Sequence, residues 1–394
     1  MNKSTGDMRA LLLTIMVPGV LAGMACESSS AGVEKAEAAA RSVSAPGSKE
    51  VPVAPAVKAS DALMQRTMGT SKDVPEIVQR ALGRAELPLS DADRARALEI
   101  YRAGGGETGR GKLHVAYATG FGENAWRRVA FMEFVLQALS YPDVARISYA
   151  SARFDTSKAI SDIQSFVAQG VDVLVVYADH REAVLPTLRE ATEAGIRVVP
   201  WSATPGGEPG KDYLSFVGND VCKVGAGFAE YAISKTAGKG SYVELGGTPG
   251  NAYTASWQKC AEEVYARSPG MKQLGKADTM WTQEGAFKEA SAFLARESKI
   301  DVWNYAFADG ARGIVRAYEA AGRPLDFALT VAGDEQGLFG DYERLRAKNP
   351  DLRIFHGPGG TFQIRVALSV AMEGASGQAV PASVNVPAVF KEYQ

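Results

Sequence analysis

Residues 155–201 read DTSKAISDIQSFVAQGVDVLVVYADHREAVLPTLREATEAGIRVVPW. The stretch Thr156–Gln169 has helical spacing, ends at Gly170, and is followed by the almost continuously apolar run Val171–Ala178. A second helical stretch leads to another apolar run, Arg197–Trp201. Because a strand that is apolar on both faces is typical of a parallel sheet covered by helices on both sides, this segment predicts a strand–helix–strand unit.

The same alternation of strand, loop and amphipathic helix extends from Leu113 to the C-terminus. About eleven strands are many for one doubly wound sheet, so two similar sheets with helices on both faces are the better packing solution. The predicted fold is therefore α/β, with two lobes that each contain a doubly wound parallel sheet. The predicted strands are Leu113–Thr119, Arg146–Ala152, Val171–Ala178, Arg197–Trp201, Leu214–Gly218, Ser241–Gly246, Lys272–Asp278, Val302–Ala308, Ala328–Gly333, Arg353–His356 and Val384–Phe390.

Residues 1–25 have the pattern of an export signal, in which two basic residues precede the apolar run Ala10–Leu21. Small residues then lead to Cys26. This arrangement resembles a bacterial lipoprotein signal, in which such a Cys becomes acylated, so we predict lipid attachment at Cys26. Ordinary signal-peptide cleavage without a lipid is the alternative, because the residues before Cys26 also fit a small-x-small site.

Two further segments precede the regular alternation. Residues 26–60 contain Ala, Ser, Pro, Val and Lys but no aromatic residue, which predicts a flexible tether. Residues 61–110 are predicted to form a helical N-terminal arm. Its best helix begins after Ser90, a good N-cap residue, and ends at the glycines from Gly104 onward.

The formal net charge of −2 and the lack of a long basic run argue against nucleic acid or an anionic membrane surface as a partner. No stretch of about 20 apolar residues follows the N-terminus, so no internal membrane span is predicted. Cys222 and Cys260 can pair in an oxidising envelope compartment, and two buried free thiols are the alternative.

Motifs of catalysis or metal binding are not found in the sequence. It has no H-E-x-x-H, G-x-S-x-G or C-x-x-C pattern, and His114, His180 and His356 lack the spacing of metal ligands. We therefore predict no metal site, no cofactor and no enzymatic activity.

Polar and aromatic residues gather directly after the predicted strands, where open α/β sheets bind ligands. Aromatic rings stack on the C–H faces of a sugar or polyol, while carboxylates, amides and guanidinium groups hydrogen-bond its paired hydroxyls. The candidate ligand-binding residues are Phe121, Asn124, Trp126, Arg127, Asp179, Trp201, Ser202, Tyr253, Trp257, Trp281, Asp309 and Asp334.

Members of this set also have purely structural interpretations. Trp126 and Trp257 can pack in a helix–sheet core, and Trp201 can cover a sheet edge. Asp179 and Asp309 can cap the helices that follow them. The set as a whole favours a ligand site more strongly than any one residue does.

The order and spacing of several motifs resemble the ribose-type sugar-binding proteins of bacterial ABC importers, which are type I periplasmic binding proteins. Residues 155–201 have their pattern of helix, G-V-D, apolar run and A-G-I-x-V-V. Further matches follow in order at Phe216–Asp220, Leu245–Gly247 and Val331–Asp334. Asn124–Arg127 is similar to the N-x-W-R start of a subgroup of these binders.

The resemblance implies two lobes joined by a three-crossover hinge. Lobe one would comprise residues 111–218 and 357–380, and lobe two residues 219–356 and 381–394. The crossovers would lie near Gly218–Asp220, Phe355–Gly357 and Gln378–Ser383.

The resemblance also implies ligand contacts. It assigns them to Asn124, Trp126, Asp179, Trp201, Ser202, Asp309 and Asp334. Three positions depart from the family pattern. The family often has an Arg near Trp257 that grips the sugar, and none occurs over Tyr253–Gln258. Trp201 stands where ribose binders often carry Asp, and the glutamine expected near the hinge is displaced to Gln363.

We therefore expect an extracytoplasmic solute-binding protein that captures a small polar ligand, a sugar or polyol, and delivers it to the permease of an ABC importer. The expected form is a monomer in the periplasm or cell envelope, anchored by lipid at Cys26. One alternative is a sensor that presents its ligand to a membrane chemoreceptor or kinase, and another is an exported α/β enzyme. A sugar-responsive repressor shares this fold but needs an N-terminal DNA-binding unit, where residues 1–60 predict a signal and a tether.

Overall fold

The computed structural model describes residues 74–333, 338–357, 359–387 and 390–393. Every predicted strand up to Arg353–His356 is present, with ends shifted by at most about three residues, as is usual for sequence-based boundaries. The helices are α1 Glu76–Ala85, α2 Asp91–Ala103, α3 Ala125–Leu139, α4 Thr156–Ala168, α5 Leu185–Glu193, α6 Val221–Lys235, α7 Ala252–Tyr265, α8 Gln283–Arg296, α9 Ala308–Ala320, α10 Leu338–Arg346 and α11 Gln363–Ala375. The strands are β1 Gly105–Glu107, β2 Leu113–Thr119, β3 Val144–Ser151, β4 Val173–Tyr177, β5 Arg197–Pro200, β6 Phe216–Gly218, β7 Gly240–Gly246, β8 Met271–Asp278, β9 Val302–Tyr305, β10 Ala328–Ala332, β11 Arg353–Gly357, β12 Ser383–Asn385 and β13 Lys391–Tyr393.

The first sheet has the strand order β1-β3-β2-β4-β5 and is parallel except for β1, which pairs antiparallel with β3. Alternate residues of β4 lie in different cores. Val173 and Val175 share a core with residues of α3 and α11, whereas Leu174 and Val176 share one with residues of α4 and α5. Helices therefore cover both faces, which explains why β4 is apolar throughout. We call this sheet with its helices the first lobe.

The second sheet has the order β13-β11-β10-β9-β7-β8 and is parallel except for β13, which pairs antiparallel with β11. Val243 and Leu245 of β7 share a core with residues of α8 and α9, whereas Tyr242 lies in a core with residues of α6 and α7. We call this sheet with its helices the second lobe. The predicted fold of two doubly wound parallel sheets is confirmed.

The chain crosses between the lobes three times: from β6 to α6, from β11 to α11, and from β12 to β13. The third crossing lies later than the predicted range Gln378–Ser383. The reason is that β12 first pairs in parallel with β6, Ser383 opposite Phe216, and β6 itself is bridged to Trp201 at the end of β5. Of the single strand predicted over Val384–Phe390, Val384 and Asn385 belong to β12, and β13 begins after the predicted range, at Lys391. The segment assigned to lobe two from residue 381 therefore contributes to both lobes.

The described part of the N-terminal arm packs on the first lobe. Val78 and Leu82 of α1 are fully buried in the core that contains residues of α3 and α11. Arg80 makes a bidentate pair with Glu373 of α11, at 3.0 and 2.9 Å. Ser90 accepts a hydrogen bond from the amide of Asp93 and so caps α2, as its sequence pattern predicts.

The first two helices of the second lobe are linked covalently. Cys222 of α6 and Cys260 of α7 form a disulfide, with their Cα atoms 5.2 Å apart. A side chain at Gly225 would overlap the carbonyl of Trp257, so the glycine allows the two helices to approach closely. Across the described ranges, none of the helices combines the length and apolar character that crossing a bilayer requires.

Candidate ligand-binding site

A cleft of about 530 Å³, including its solvent-open mouth, lies between the lobes at the carboxyl ends of the parallel strands. In the first lobe its walls come from the last residue of β4 and from the segments that follow β2 and β5. In the second lobe they come from the segments that follow β7, β8 and β9, and one further residue comes from the second crossing. This is the edge at which parallel α/β sheets bind ligands. The lining residues are Phe121, Asn124, Trp126, Arg127, Tyr177, Ser202, Asn251, Tyr253, Trp281, Ala306, Phe307 and Gly359.

Aromatic rings line the cleft from both sides. Trp126 and Tyr177 of the first lobe meet edge to face, with ring centroids 5.6 Å apart. Trp281 and Phe307 of the second lobe do the same at 5.7 Å. Two aromatic walls that face a shared space can stack on both C–H faces of a ring-shaped ligand.

Arg127 is the basic side chain of the cleft, and its charge is neutralised within the first lobe. Its guanidinium donates from Nη2 to Oδ1 of Asp179 at 2.7 Å and from Nη1 to Oγ1 of Thr119 at 2.9 Å. Burial is the largest single influence and would lower the pKa of Arg127, but the Asp179 carboxylate and the neighbouring Tyr177 and Tyr117 together outweigh it, so that pKa lies above the ordinary value. The guanidinium also lies 3.7 Å from the ring centroid of Tyr177. Arg127 therefore presents its remaining N–H donors without adding net charge.

Asp179 faces away from the cleft. Its Oδ2 accepts hydrogen bonds from the backbone amides of Gly120 and Phe121, at 2.9 and 2.8 Å, while Oδ1 accepts from Arg127. Both carboxylate oxygens are thus used to hold Arg127 and the turn after β2. These bonds give Asp179 a positioning role, and it is not among the residues that line the cleft, so its direct contact with a ligand stays a prediction.

Two asparagines bring amide donors to opposite sides of the cleft. Asn124 caps α3 by accepting from the amide of Arg127, and Asn251 caps α7 by accepting from the amide of Thr254, both at 2.9 Å. Since each cap uses the side-chain oxygen, each Nδ2 group keeps its donors for another partner. The caps therefore place hydrogen-bond donors in both lobes.

Hydroxyl groups complete the polar part of the lining. Burial raises the pKa of both Tyr177 and Tyr253 above the ordinary value of tyrosine. Both phenols are therefore protonated at neutral pH and can donate and accept hydrogen bonds, as can Ser202.

Trp201 and Trp257 do not line the cleft, contrary to their predicted role. Trp201 is fully buried and packs behind Trp126, because the bridge to Val217 continues the sheet past β5 and encloses it. Trp257 is fully buried against Phe228 in the α6–α7 core. The structural interpretations of these two residues hold.

The predicted carboxylate of Asp309 is not part of the cleft lining. Asp309, in the first turn of α9, accepts from Arg312 at 2.6 Å and from Gln283 at 2.9 Å, so its partners come from its own lobe. Asp334 lies outside the described residues. Cys26, the predicted lipid site, lies outside them as well. Seven predicted residues do line the cleft, and their contact with a ligand stays a prediction: Phe121, Asn124, Trp126, Arg127, Ser202, Tyr253 and Trp281.

Five lining residues are absent from the sequence-based set: Tyr177, Asn251, Ala306, Phe307 and Gly359. Asn251 follows a glycine-rich turn after β7 and directly precedes a helix, so its N-cap pattern was visible in the sequence. Tyr177 ends an apolar strand and has no pattern of its own. Gly359 joins the cleft only because the second crossing returns there, where its carbonyl accepts from Nε1 of Trp126 at 3.1 Å.

A sequence model described as a periplasmic binding protein domain matches residues 115–338, which is more than half of the chain. The chain belongs to the periplasmic binding protein family. This periplasmic binding protein is 26% identical over 253 residues to the xylitol-binding protein of Mycolicibacterium smegmatis, covering 61% of this chain and 68% of that one. It is 27% identical over 240 residues to the D-xylose-binding periplasmic protein of Escherichia coli, covering 59% and 70%. The family consists of solute binders and not of enzymes, as predicted.

Solved structures show the same fold. The binding component of the arabinose ABC transporter from Shewanella sp. ANA-3 matches with a TM-score of 0.63 and 20% identity, covering 71% of this chain and 92% of that chain. The fructose-binding periplasmic domain of a hybrid two-component system matches with a TM-score of 0.62 and 24% identity, covering 71% and 91%. The predicted type I periplasmic binding protein fold is confirmed.

Proposed function

We propose that this periplasmic binding protein captures a neutral monosaccharide or polyol between its lobes and delivers it to the permease of an ABC importer. The observation that carries the proposal is the composition of the cleft, in which aromatic walls of both lobes enclose amide, hydroxyl and guanidinium groups. Relatives of this chain are named for xylitol and D-xylose, which fit such a lining. A neutral ligand is favoured because Asp179 already balances the charge of Arg127.

Closure of the hinge would couple ligand binding to recognition by the permease. The three crossings allow rotation of the lobes, and a ligand that contacts both lobes favours the closed arrangement. Trp126 supports this coupling, since it packs against the main core of each lobe and bonds to Gly359 on the second crossing.

We further propose export and attachment at the membrane. The periplasmic family supports an extracytoplasmic location, and the N-terminal pattern supports a signal over residues 1–25, acylation at Cys26 and a tether over residues 26–60. A lipid at Cys26 would keep a monomeric binding protein close to its permease and raise its effective concentration there.

A second candidate is a sensor that presents its ligand to a membrane receptor. It is favoured by one observation: a fold match of comparable quality is the fructose-binding periplasmic domain of a hybrid two-component system. The cleft chemistry would be the same, so uptake separates the two functions. Loss of ligand uptake in a deletion strain supports transport, whereas normal uptake with a lost transcriptional response supports sensing.

The binding step is tested by the melting temperature of the purified protein against D-xylose, xylitol, L-arabinose, D-fructose, D-allose and myo-inositol. A ligand at about a hundredfold excess over its Kd stabilises the folded state by about 3 kcal/mol, which is a clear upward shift. The shift should be lost in Trp281→Ala, a cleft residue, and kept in Leu98→Ala, a half-exposed residue of α2. A flat response to every neutral sugar and polyol would contradict the proposal.

A further inference from the structure

The two lobes contain equivalent turns next to residues of the cleft. In each lobe the turn follows the second parallel strand, β3 or β8, and precedes the N-cap of the next helix, Asp155 or Thr282. Each turn also hydrogen-bonds back to the end of the preceding parallel strand. The amide of Ala152, three residues before its N-cap, donates to the carbonyl of Thr119 at 2.8 Å, and the amide of Thr279, also three residues before its N-cap, donates to that of Gly246 at 3.1 Å. Phe154 and Trp281 therefore occupy the same place, directly before the N-cap.

Both turns contain two consecutive non-glycine residues in the left-handed region. The φ values are 52° and 72° at Arg153 and Phe154, and 56° and 53° at Met280 and Trp281. Such residues cost conformational free energy and persist where the surrounding structure requires them, often at ligand clamps. Because the same conformational cost occurs at equivalent places in both lobes, the two turns are expected to serve the same function.

In the second lobe, the turn places an aromatic side chain in the wall of the cleft. Trp281 lines the cleft, and its ring lies over Gly247, where any side chain would overlap it. The left-handed turn thus directs a large aromatic ring over the ligand space.

In the first lobe the same place holds an exposed aromatic ring. Phe154 is 53% exposed, although a phenylalanine normally buries its ring. It meets the cleft-lining ring of Phe121 edge to face, with centroids 4.4 Å apart. The aromatic surface of the cleft therefore continues outward from Phe121 to Phe154.

We propose that Phe154 is a specificity-determining ligand contact, the counterpart of Trp281, and that it packs against the exocyclic carbon of a bound sugar. This inference rests on the proposed sugar-binding function. Phe154 lies one aromatic ring further from the cleft than Phe121, so it can reach a substituent that projects from a sugar ring bound there. A carbon atom in that substituent presents C–H groups to the face of the phenyl ring. The residue thus favours hexoses over the pentoses that lack this carbon.

The test is a calorimetric titration of the full protein and its variants with two sugar pairs that differ by one exocyclic carbon: D-xylose with D-glucose, and L-arabinose with D-galactose. Phe154→Ala should weaken hexose binding about five- to tenfold and pentose binding less than about twofold. Phe154→Leu should restore part of the hexose affinity. Leu98→Ala, at a similarly exposed position on α2, should change neither affinity.

The outcomes separate this inference from the proposed function. Binding of these sugars with equal affinity in the parent and in Phe154→Ala overturns the inference and leaves the proposed function in place. An equal loss for both members of a pair overturns the assignment to the exocyclic carbon. If the parent binds no sugar or polyol at all, the proposed function falls, and the inference falls with it. An unchanged melting temperature of the ligand-free variant shows that the effect is on binding, because the ring is mostly exposed.

Discussion

The indole ring of Trp126 stacks on that of Trp201, with centroids 5.2 Å apart and planes 13° from parallel. Trp126 faces the cleft, whereas Trp201 is fully buried behind it. Trp201 does not reach the cleft, but its ring supports the ring of Trp126, which does. Trp201 is also near Tyr177, another cleft residue, at 5.2 Å. The shape of the first aromatic wall therefore depends on Trp201.

Replacing Trp201 should reduce both stability and affinity. Trp201→Ala removes a large buried ring and is expected to cost about 3–5 kcal/mol of unfolding free energy. The sugar affinity should also fall, since Trp126 loses its support. Urea unfolding and calorimetric titration measure the two effects.

Trp257→Ala is the matched control for Trp201→Ala. Trp257 is equally buried but packs in the α6–α7 core, so its loss should destabilise the protein by a similar amount with little change in the affinity of the folded fraction. Equal losses of affinity in the two variants would contradict a specific role of Trp201.

Asp179→Asn should be strongly destabilising. The change leaves the buried guanidinium of Arg127 without its counter-charge, and breaking one partner of a buried pair costs about 3–5 kcal/mol. Urea unfolding provides the measurement. Asp155→Asn is the control, because Asp155 is an exposed N-cap and asparagine caps equally well. A loss below about 1 kcal/mol in Asp179→Asn would show that the pair does not hold the turn.

Glu244 should make stability fall as the pH rises toward neutral. Burial raises the pKa of this fully buried carboxyl from 4.5 to about 7, and Lys276 only partly opposes the effect. The folded state therefore binds the proton more tightly than the unfolded state between these values. Its contribution is full below pH 4.5 and is lost as the pH rises through 7, a change of roughly 3 kcal/mol.

His356 acts in the opposite direction. Burial, helped by Lys391, lowers its pKa from 6.5 to about 4, so stability is lost as the pH falls from 6.5 toward 4. Because the effects of Glu244 and His356 oppose each other, the unfolding free energy of the parent protein can change little with pH over this range. The informative quantity is the unfolding free energy of the parent minus that of Glu244→Gln, which should fall between pH 4.5 and 7.5. Glu99→Gln, at an exposed position of α2, is the control, and a flat difference for Glu244→Gln would refute the assignment.

Reduction of the disulfide should destabilise the second lobe. Cys222 and Cys260 are 38 residues apart, and the chain-entropy relation gives about 4 kcal/mol for a loop of this length. Dithiothreitol should therefore lower the melting temperature of the parent. It should leave that of the Cys222→Ser, Cys260→Ser double variant unchanged, and an unaffected parent would contradict the prediction.

Local sequence predicted most of the elements and seven of the twelve residues that line the cleft. β4 was recognisable because a strand buried on both faces must be apolar throughout, and Asn124 because it lies in the segment that follows the first predicted strand. The last strand was predicted wrongly, since β12 and β13 pair with distant partners that leave no local pattern.

The sequence by itself determined the periodicity, and with it the α/β class, the order of the elements and the loops that follow the strands. Only the tertiary structure decided which side chains of those loops reach the cleft. Asp179 and Arg127 are 52 residues apart, and Trp126 meets Gly359 across 233 residues. Whether a carboxylate faces a ligand or an arginine, and whether an indole lies in front of another or behind it, depends on packing between such distant segments. The hydrophobic periodicity of the sequence indicates which face of each element is buried, but it does not indicate which other element covers that face.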